Sequence, residues 1–227
     1  VAQSGSTTPI RAVVELYTSQ GCNSCPPADA LLGKLSKRPD IMALSLPITY
    51  WDYLGWKDTL AQEDFTDRQT NYAYALRQGR LYTPQMVING RDHAVGSDTK
   101  AVNAVIKAVR WANRDLIPIS VTLKGNRLVI EVGKGAAYQL GKEPTIWMAI
   151  VRPNVDVKIT YGENRNNTIT YYNVVRKLQS IGMWSGKSVR RTIPATSTLR
   201  KGEKCAVFIQ QDKTGPIIAA AWMVGEG

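Results

Sequence analysis

One histidine, two phenylalanines and three cysteines are all that 227 residues carry of those types. No Ser/His/Asp arrangement surrounds the lone His93 to suggest a hydrolase, and it reads as a surface-loop residue. Three cysteines are an odd number, so at most one bridge closes within the chain and one thiol is left over. Acidic residues are few: 18 Asp and Glu stand against 29 Lys and Arg, a net charge of +11. No apolar run approaches the roughly 18 residues of a membrane helix, so no transmembrane segment is expected. There is also no low-complexity tract, and 44% of residues are hydrophobic, as in a folded globular protein.

The excess of positive charge raises nucleic acid as a partner. The densest basic groups, KSVRR (Lys187 to Arg191) and RKGEK (Arg200 to Lys204), lack the interleaved aromatics of a single-strand binder. The charge is read as solvated surface, and no nucleic-acid partner is expected. The opening VAQSGSTTP is small and polar and lacks an initiator methionine. It reads as the start of a processed, exported protein, which predicts a periplasmic or secreted location.

Along the chain, RAVVELYT (11–18) is β-branched and apolar and predicts a strand. After a cysteine turn, Ala28, Leu31, Leu32 and Leu35 fall at i, i+3, i+4 and i+7, one face of a helix that Pro39 ends. IMALSL predicts a second strand, the stretch after an aromatic loop a second helix that Gly79 stops, and TPQMVING a third strand closed by an Asn-Gly turn. A last helix opens at Ser97 or Asp98. This order predicts an α/β thioredoxin-like domain over residues 10–114. After Ile117-Pro118 the pattern changes to short alternating segments such as TIWMAIVR, VDVKITYG and KCAVFIQQ, separated by Gly, Pro and Asn. They predict a mostly antiparallel, β-sandwich-like domain over 118–227, with the boundary near 114–118.

The chemistry concentrates in YTSQGCNSCPPAD, Tyr17 to Asp29. A Cys-x-x-Cys pair between a strand and a helix can be a redox dithiol, half a metal site or a structural disulfide. With Ser24 as N-cap, Cys25 stands at the helix start, where the dipole favours a thiolate, and Cys22 is the expected exposed sulfur. Thr83-Pro84 opens the third strand, where thioredoxin-like proteins carry a cis-proline facing the dithiol. The backbone of the preceding residue, here Thr83, could pair with an extended substrate; an ordinary trans proline at the start of an edge strand is the alternative. Glu15, in the first strand, is a candidate proton acceptor for Cys25, with a surface carboxylate as the alternative. Trp51, Tyr53 and Trp56 could line a groove beside the cysteines, or pack as the core of their own loop. Cys205, in the apolar run KCAVFIQ, reads as a buried core thiol.

VVELYTSQGCNSCPPAD, YWDYLGWKD, TPQMVINGR, VGSD and YGENRNNTITYYNVVR together resemble an exported bacterial family of thioredoxin-like proteins catalogued as a domain of unknown function. The resemblance spans roughly residues 10 to 225 and implies a thioredoxin fold with an appended β-rich part. It brings no substrate. Where the family carries His-Val-Asp before the aromatic motif, this chain has Pro47, Ile48 and Thr49. Chemistry that depends on that histidine and aspartate is not available here.

Three functions are open at this point. The first is a thiol-disulfide oxidoreductase of the cell envelope with Cys22 attacking and Cys25 resolving. Its partners would be protein or small-molecule thiols and disulfides, with no cofactor. The second is a non-catalytic binding module with a structural disulfide. The third is a metal-binding protein using Cys22, Cys25, His93 and Cys205, a donor set acceptable to zinc or copper(I). YGENRNNT, with Glu163 and Arg165, reads as a turn whose side chains bind backbone or reach across to the other half.

Overall fold

The first strand, β1 (Ala12–Thr18), is buried at every position, so both faces need cover. The computed structural model, which describes residues 8–111, 116–135 and 144–225, supplies that cover with helices. A crossover through α1 (Pro26–Leu35) returns the chain parallel to β1 as β2 (Ile41–Pro47), in a register from Ala12 opposite Ile41 to Thr18 opposite Pro47. After α2 (Glu63–Ala75), β3 (Gln85–Ile88) pairs antiparallel with β1, and β4 (Asp92–Val95) with β3. Asn89 and Gly90 turn that hairpin with φ of 52° and 58°, the left-handed values an Asn-Gly turn requires. Asp98 caps α3 (Thr99–Val109), its carboxylate accepting from the amides of Lys100 and Ala101.

Alternation along β1 sorts the layers. Ala12, Val14 and Leu16 face α1 and α3, meeting Leu31, Leu32, Val102 and Ile106. Val13 and Tyr17 face α2, meeting Phe65 and Tyr72.

The remaining strands are β5 (Ile119–Lys124), β6 (Arg127–Val132), β7 (Thr145–Lys158), β8 (Thr168–Met183), β9 (Val189–Pro194), β10 (Lys204–Gln210) and β11 (Ile217–Val224). They do not form a separate sandwich. One mixed sheet runs β4-β3-β1-β2-β8-β7-β10-β11-β5-β6-β9. The chain is mostly β, with three α-helices among the described residues. This corrects the expectation of an α/β thioredoxin-like domain followed by an antiparallel sandwich.

Two features join the halves. Ser45 of β2 pairs parallel with Val174 of β8, and the Asn173 side chain donates to the Ala43 carbonyl at 2.9 Å, so the edge of β2 is closed. The core beneath is also shared: Met42, Leu44, Phe65 and Tyr72 pack in one cluster with Ala149, Val151, Ala206 and Phe208. Helix α1 lies on β8 through Gly33, where a Cβ would collide with the ring of Tyr172.

Pro153 and Asn154, which predict a break, sit inside the 14-residue β7. The ladder steps from Arg152–Val174 to Asn154–Tyr172, so no pairing is asked of the proline. The boundary expected from residue 114 begins outside the described residues, as does the expected end at 227. No helix among the described residues is long and apolar enough to cross a membrane.

Candidate functional site

The turn between β1 and α1 holds a disulfide between Cys22 and Cys25, whose Cα atoms lie 5.4 Å apart. Cys25, rather than Ser24, is the N-cap, and Pro26 and Pro27 fill the first two helical positions. Prolines fit there because those amides have no partner inside the helix. They also remove two N–H groups that could have faced an anion, so the dipole and side chains are left to favour a thiolate. Ser24 supplies one such group, its hydroxyl lying 3.4 Å from the Cys22 sulfur.

Neither cysteine is open to solvent: Cys22 is 1% exposed and Cys25 is fully buried. Cys22 is therefore not the exposed sulfur the sequence suggests. The cover comes from two places. Gly21 lies under Trp51, where an added Cβ would stand 3.0 Å from the Trp51 Cβ. From the loop between β7 and β8, the Asn164 side chain donates to the carbonyls of Gln20 and Cys22, both at 2.9 Å. Gln20 is held in turn: its amide donates to Asp58 at 2.7 Å, and its side-chain oxygen accepts from Trp56 Nε1 at 2.8 Å.

Beneath the turn lie buried acids. Asp29, one helical turn after Cys25, is 2% exposed. Its Oδ2 accepts from the Thr18 hydroxyl at 3.2 Å, while its Oδ1 finds no protein partner among the described residues. Burial pushes its pKa well above the usual carboxylate range; the Thr18 bond opposes this and nearby Asp58 adds to it. Asp58 is likewise raised by burial, against the amides of Gln20, Leu60 and Ala61 that it accepts. The Tyr171 hydroxyl also lacks a protein partner, and burial raises its pKa, with Asp29 and Asp58 close enough to add to the effect. Two acids and a phenol thus lie buried close enough to interact, and the Asp29 amide donates to the Cys25 carbonyl at 3.1 Å.

The chain matches a family model described as a protein of unknown function (DUF1223) over residues 13–210. The chain belongs to this family. A crystal structure of a protein from Agrobacterium tumefaciens is 32% identical, with a TM-score of 0.82 and 96% of each chain covered. HBP35 of Porphyromonas gingivalis matches at a TM-score of 0.56 and 12% identity, covering 94% of this chain and 74% of that one; this likeness concerns the fold alone. No curated protein matches.

The other expected residues divide by location. The Thr83-Pro84 peptide bond is cis. Pro84 lies beside the first turn of α1, because a Cβ built on Gly96 would stand 3.1 Å from the Ala28 Cβ and 3.3 Å from the Pro84 Cβ. A Gly96→Ala substitution is expected to force these apart and lower stability by about 1–3 kcal/mol, read by thermal unfolding. Trp51 joins this group by donating from Nε1 to the Thr83 hydroxyl at 2.7 Å. Trp56 is tied to Gln20, and Tyr53 is 77% exposed.

Glu15 belongs elsewhere. It sits on the α2 face of β1, with Val13 and Tyr17, while α1, which Cys25 caps, packs on the other face. Its oxygens accept from Arg68 Nε at 2.7 Å and from the Tyr72 hydroxyl at 2.6 Å. Arg68 reaches Gln210 of β10 as well, at 2.8 Å. Burial works against the Arg68 charge, but Glu15 and the Tyr72 and Tyr17 phenols hold its pKa above the ordinary value.

The metal donor set is not assembled. Cys205 lies in the core with Ile150 and Val207, its thiol pushed up to about 12 by burial, and His93 Nδ1 is 2.6 Å from the Tyr82 hydroxyl. Among the described residues no three His, Cys, Asp or Glu side chains converge as ligands.

Sequence reasoning missed Asp29 and Asn164. A first-turn Asp reads as a dipole partner, and nothing local announces that Thr18 and Tyr171 enclose it. In YGENRNNT the charged Glu163 and Arg165 stand out in the sequence, yet both are exposed.

Proposed function

We propose that Cys22–Cys25 is a reversible redox pair that exchanges with thiols or disulfides of a protein or small molecule, in the periplasm or outside the cell, where such pairs persist. The observation that carries this reading is Asp29. A carboxyl buried with one oxygen lacking a protein partner costs about 1–3 kcal/mol, a burden that a purely structural staple has no use for. It does have a use one helical turn from Cys25, whose carbonyl accepts from the Asp29 amide, if that sulfur must gain and lose a proton.

In the reductive direction, a partner thiolate attacks Cys22 Sγ and the Cys22–Cys25 bond breaks. Cys25 leaves as a thiolate and takes its proton from protonated Asp29. A second partner thiol then attacks the mixed disulfide, releasing Cys22 and leaving the partner oxidised. In reverse, ionised Asp29 accepts the Cys25 proton and the Cys25 thiolate resolves the mixed disulfide. The Thr83 backbone holds the partner chain. Because Cys22 is covered, each cycle requires the Trp51 segment or the Asn164 loop to move aside.

Asp29→Asn tests this. Exchange with glutathione is expected to slow by about 100-fold, the size of a lost proton-transfer group. Stability has a definite sign. Burial raises the folded-state pKa above the unfolded value of about 3.9, so the associated stability is complete below that pH and is lost as pH rises toward the raised value. The asparagine removes that loss and is expected to stabilise the protein at neutral pH, read by denaturant unfolding. Unchanged exchange in a stabilised variant would remove Asp29 from the mechanism.

The burial of both sulfurs favours a second reading, a binding module whose disulfide staples the turn. It is expected to keep the disulfide closed in any glutathione buffer.

A further inference from the structure

We infer that Asn164 is a positioning residue through which the β7–β8 hairpin sets the stability of the Cys22–Cys25 disulfide. This rests on the exchange reading for its biological use, but not for its test. The side chain is 4% exposed and its amide spends both hydrogens on one target, the carbonyls of Gln20 and Cys22. The loop that carries it is shaped for that aim. Asn166 returns its amide to the Ile159 carbonyl at 2.9 Å, and Ile159 donates to the Asn167 carbonyl at 2.9 Å. Gly162 and Asn166 adopt left-handed φ of 77° and 69°, and Gly162 abuts Trp56, where a Cβ would lie 3.3 Å from that of the tryptophan. Trp56 is bonded to Gln20, so loop, tryptophan and cysteine turn form one closed unit.

The effect on the disulfide follows from chain entropy. In the oxidised protein the covalent bond itself holds Cys22 near Cys25. In the dithiol the hold falls to the turn's own bond from the Cys25 amide to the Cys22 carbonyl, at 3.2 Å, and to the surroundings, where Asn164 adds a side-chain bond to the same carbonyl from outside the turn. Holding two reacting groups in place raises their effective concentration and favours bond formation. Without Asn164 the dithiol gains freedom that the disulfide cannot, so reduction becomes easier. Linkage makes the effect reciprocal: reduction loosens the grip of the hairpin loop on the turn. YGENRNNT then has a function, and the second half of the chain senses the redox state of the first.

The test is the equilibrium of the full chain and its variants against graded dithiothreitol or glutathione, read by alkylation and mass. Asn164→Ala is expected to make the disulfide about tenfold easier to reduce, close to 30 mV for this two-electron couple. Asn164→Ser, which keeps one donor, is expected to fall between. Asn167→Ala, an exposed neighbour in the same loop, is expected to match the wild type. On reduction, amide hydrogen exchange of residues 159–167 is expected to quicken in the wild type and to change little in Asn164→Ala. Equal equilibria for Asn164→Ala and the wild type would overturn the inference, as would an equal shift in Asn167→Ala. Should the wild-type disulfide resist glutathione yet yield to dithiothreitol, the exchange reading fails while the comparison between variants still decides the role of Asn164.

Discussion

Replacing Cys22 with serine is expected to reduce thiol exchange to the uncatalysed background, while leaving a folded protein. A serine hydroxyl is not ionised at neutral pH and cannot carry the mixed disulfide that exchange requires. Loss of the disulfide should itself cost only about 2 kcal/mol, because the bond closes a short loop and constrains little of the unfolded chain. The companion Cys25→Ser separates the functional readings. It leaves Cys22 as nucleophile without its resolving partner, so it should accumulate one glutathione per chain when the native protein meets glutathione disulfide. A staple with no path to solvent behaves differently: Cys22 stays unmodified until the protein is unfolded. Mass spectrometry of the two variants, native and in denaturant, makes the comparison, and a native Cys25→Ser that resists glutathione disulfide would count against exchange.

The largest loss of stability is expected for Arg68→Met, about 3–5 kcal/mol by denaturant unfolding. Arg68 is 6% exposed and its guanidinium is bonded to Glu15, Tyr72 and Gln210, with Trp147 and Phe208 rings within 6 Å. Methionine fills much of the volume but leaves the Glu15 carboxylate buried and short of its counter-ion. The penalty comes from that stranded charge more than from the lost contact, so a Glu15→Gln/Arg68→Met double variant should regain most of the stability. Because the network joins β1, α2 and β10, the single variant should lower the unfolding midpoint of the whole chain rather than of its first half. A loss below about 1 kcal/mol, or a double variant no better than the single one, would show that Glu15 is not held by Arg68.

Much of the first half is legible in the sequence, because its signals are local. The i, i+3, i+4, i+7 leucines of α1, the apolar run of β1 and the Asn-Gly turn each act within a few residues. The joining of the halves is not legible. Closing the β2 edge with β8 depends on one bridge, Ser45 to Val174, and on Asn173 reaching Ala43, contacts about 130 residues apart. A proline inside a strand reads as an end, yet β7 passes through Pro153 because the ladder asks nothing of it there. Glu15 shows how parity decides a site: one step along a strand reverses the face, and an odd position in β1 looks at α2. The dithiol is legible from its spacing. Its cover, Trp51 and Asn164, and its buried acid, Asp29, come from tertiary packing that no short pattern encodes.

The central claim is that Cys22 and Cys25 form a reversible redox pair. Its most direct test is the equilibrium of the wild-type protein against a graded glutathione buffer, with free thiols trapped and counted by mass. The account gives a reversible transition between about −120 and −270 mV, the span of known exchange proteins. A disulfide that stays closed throughout that range, and opens only in strong reductant, would contradict it.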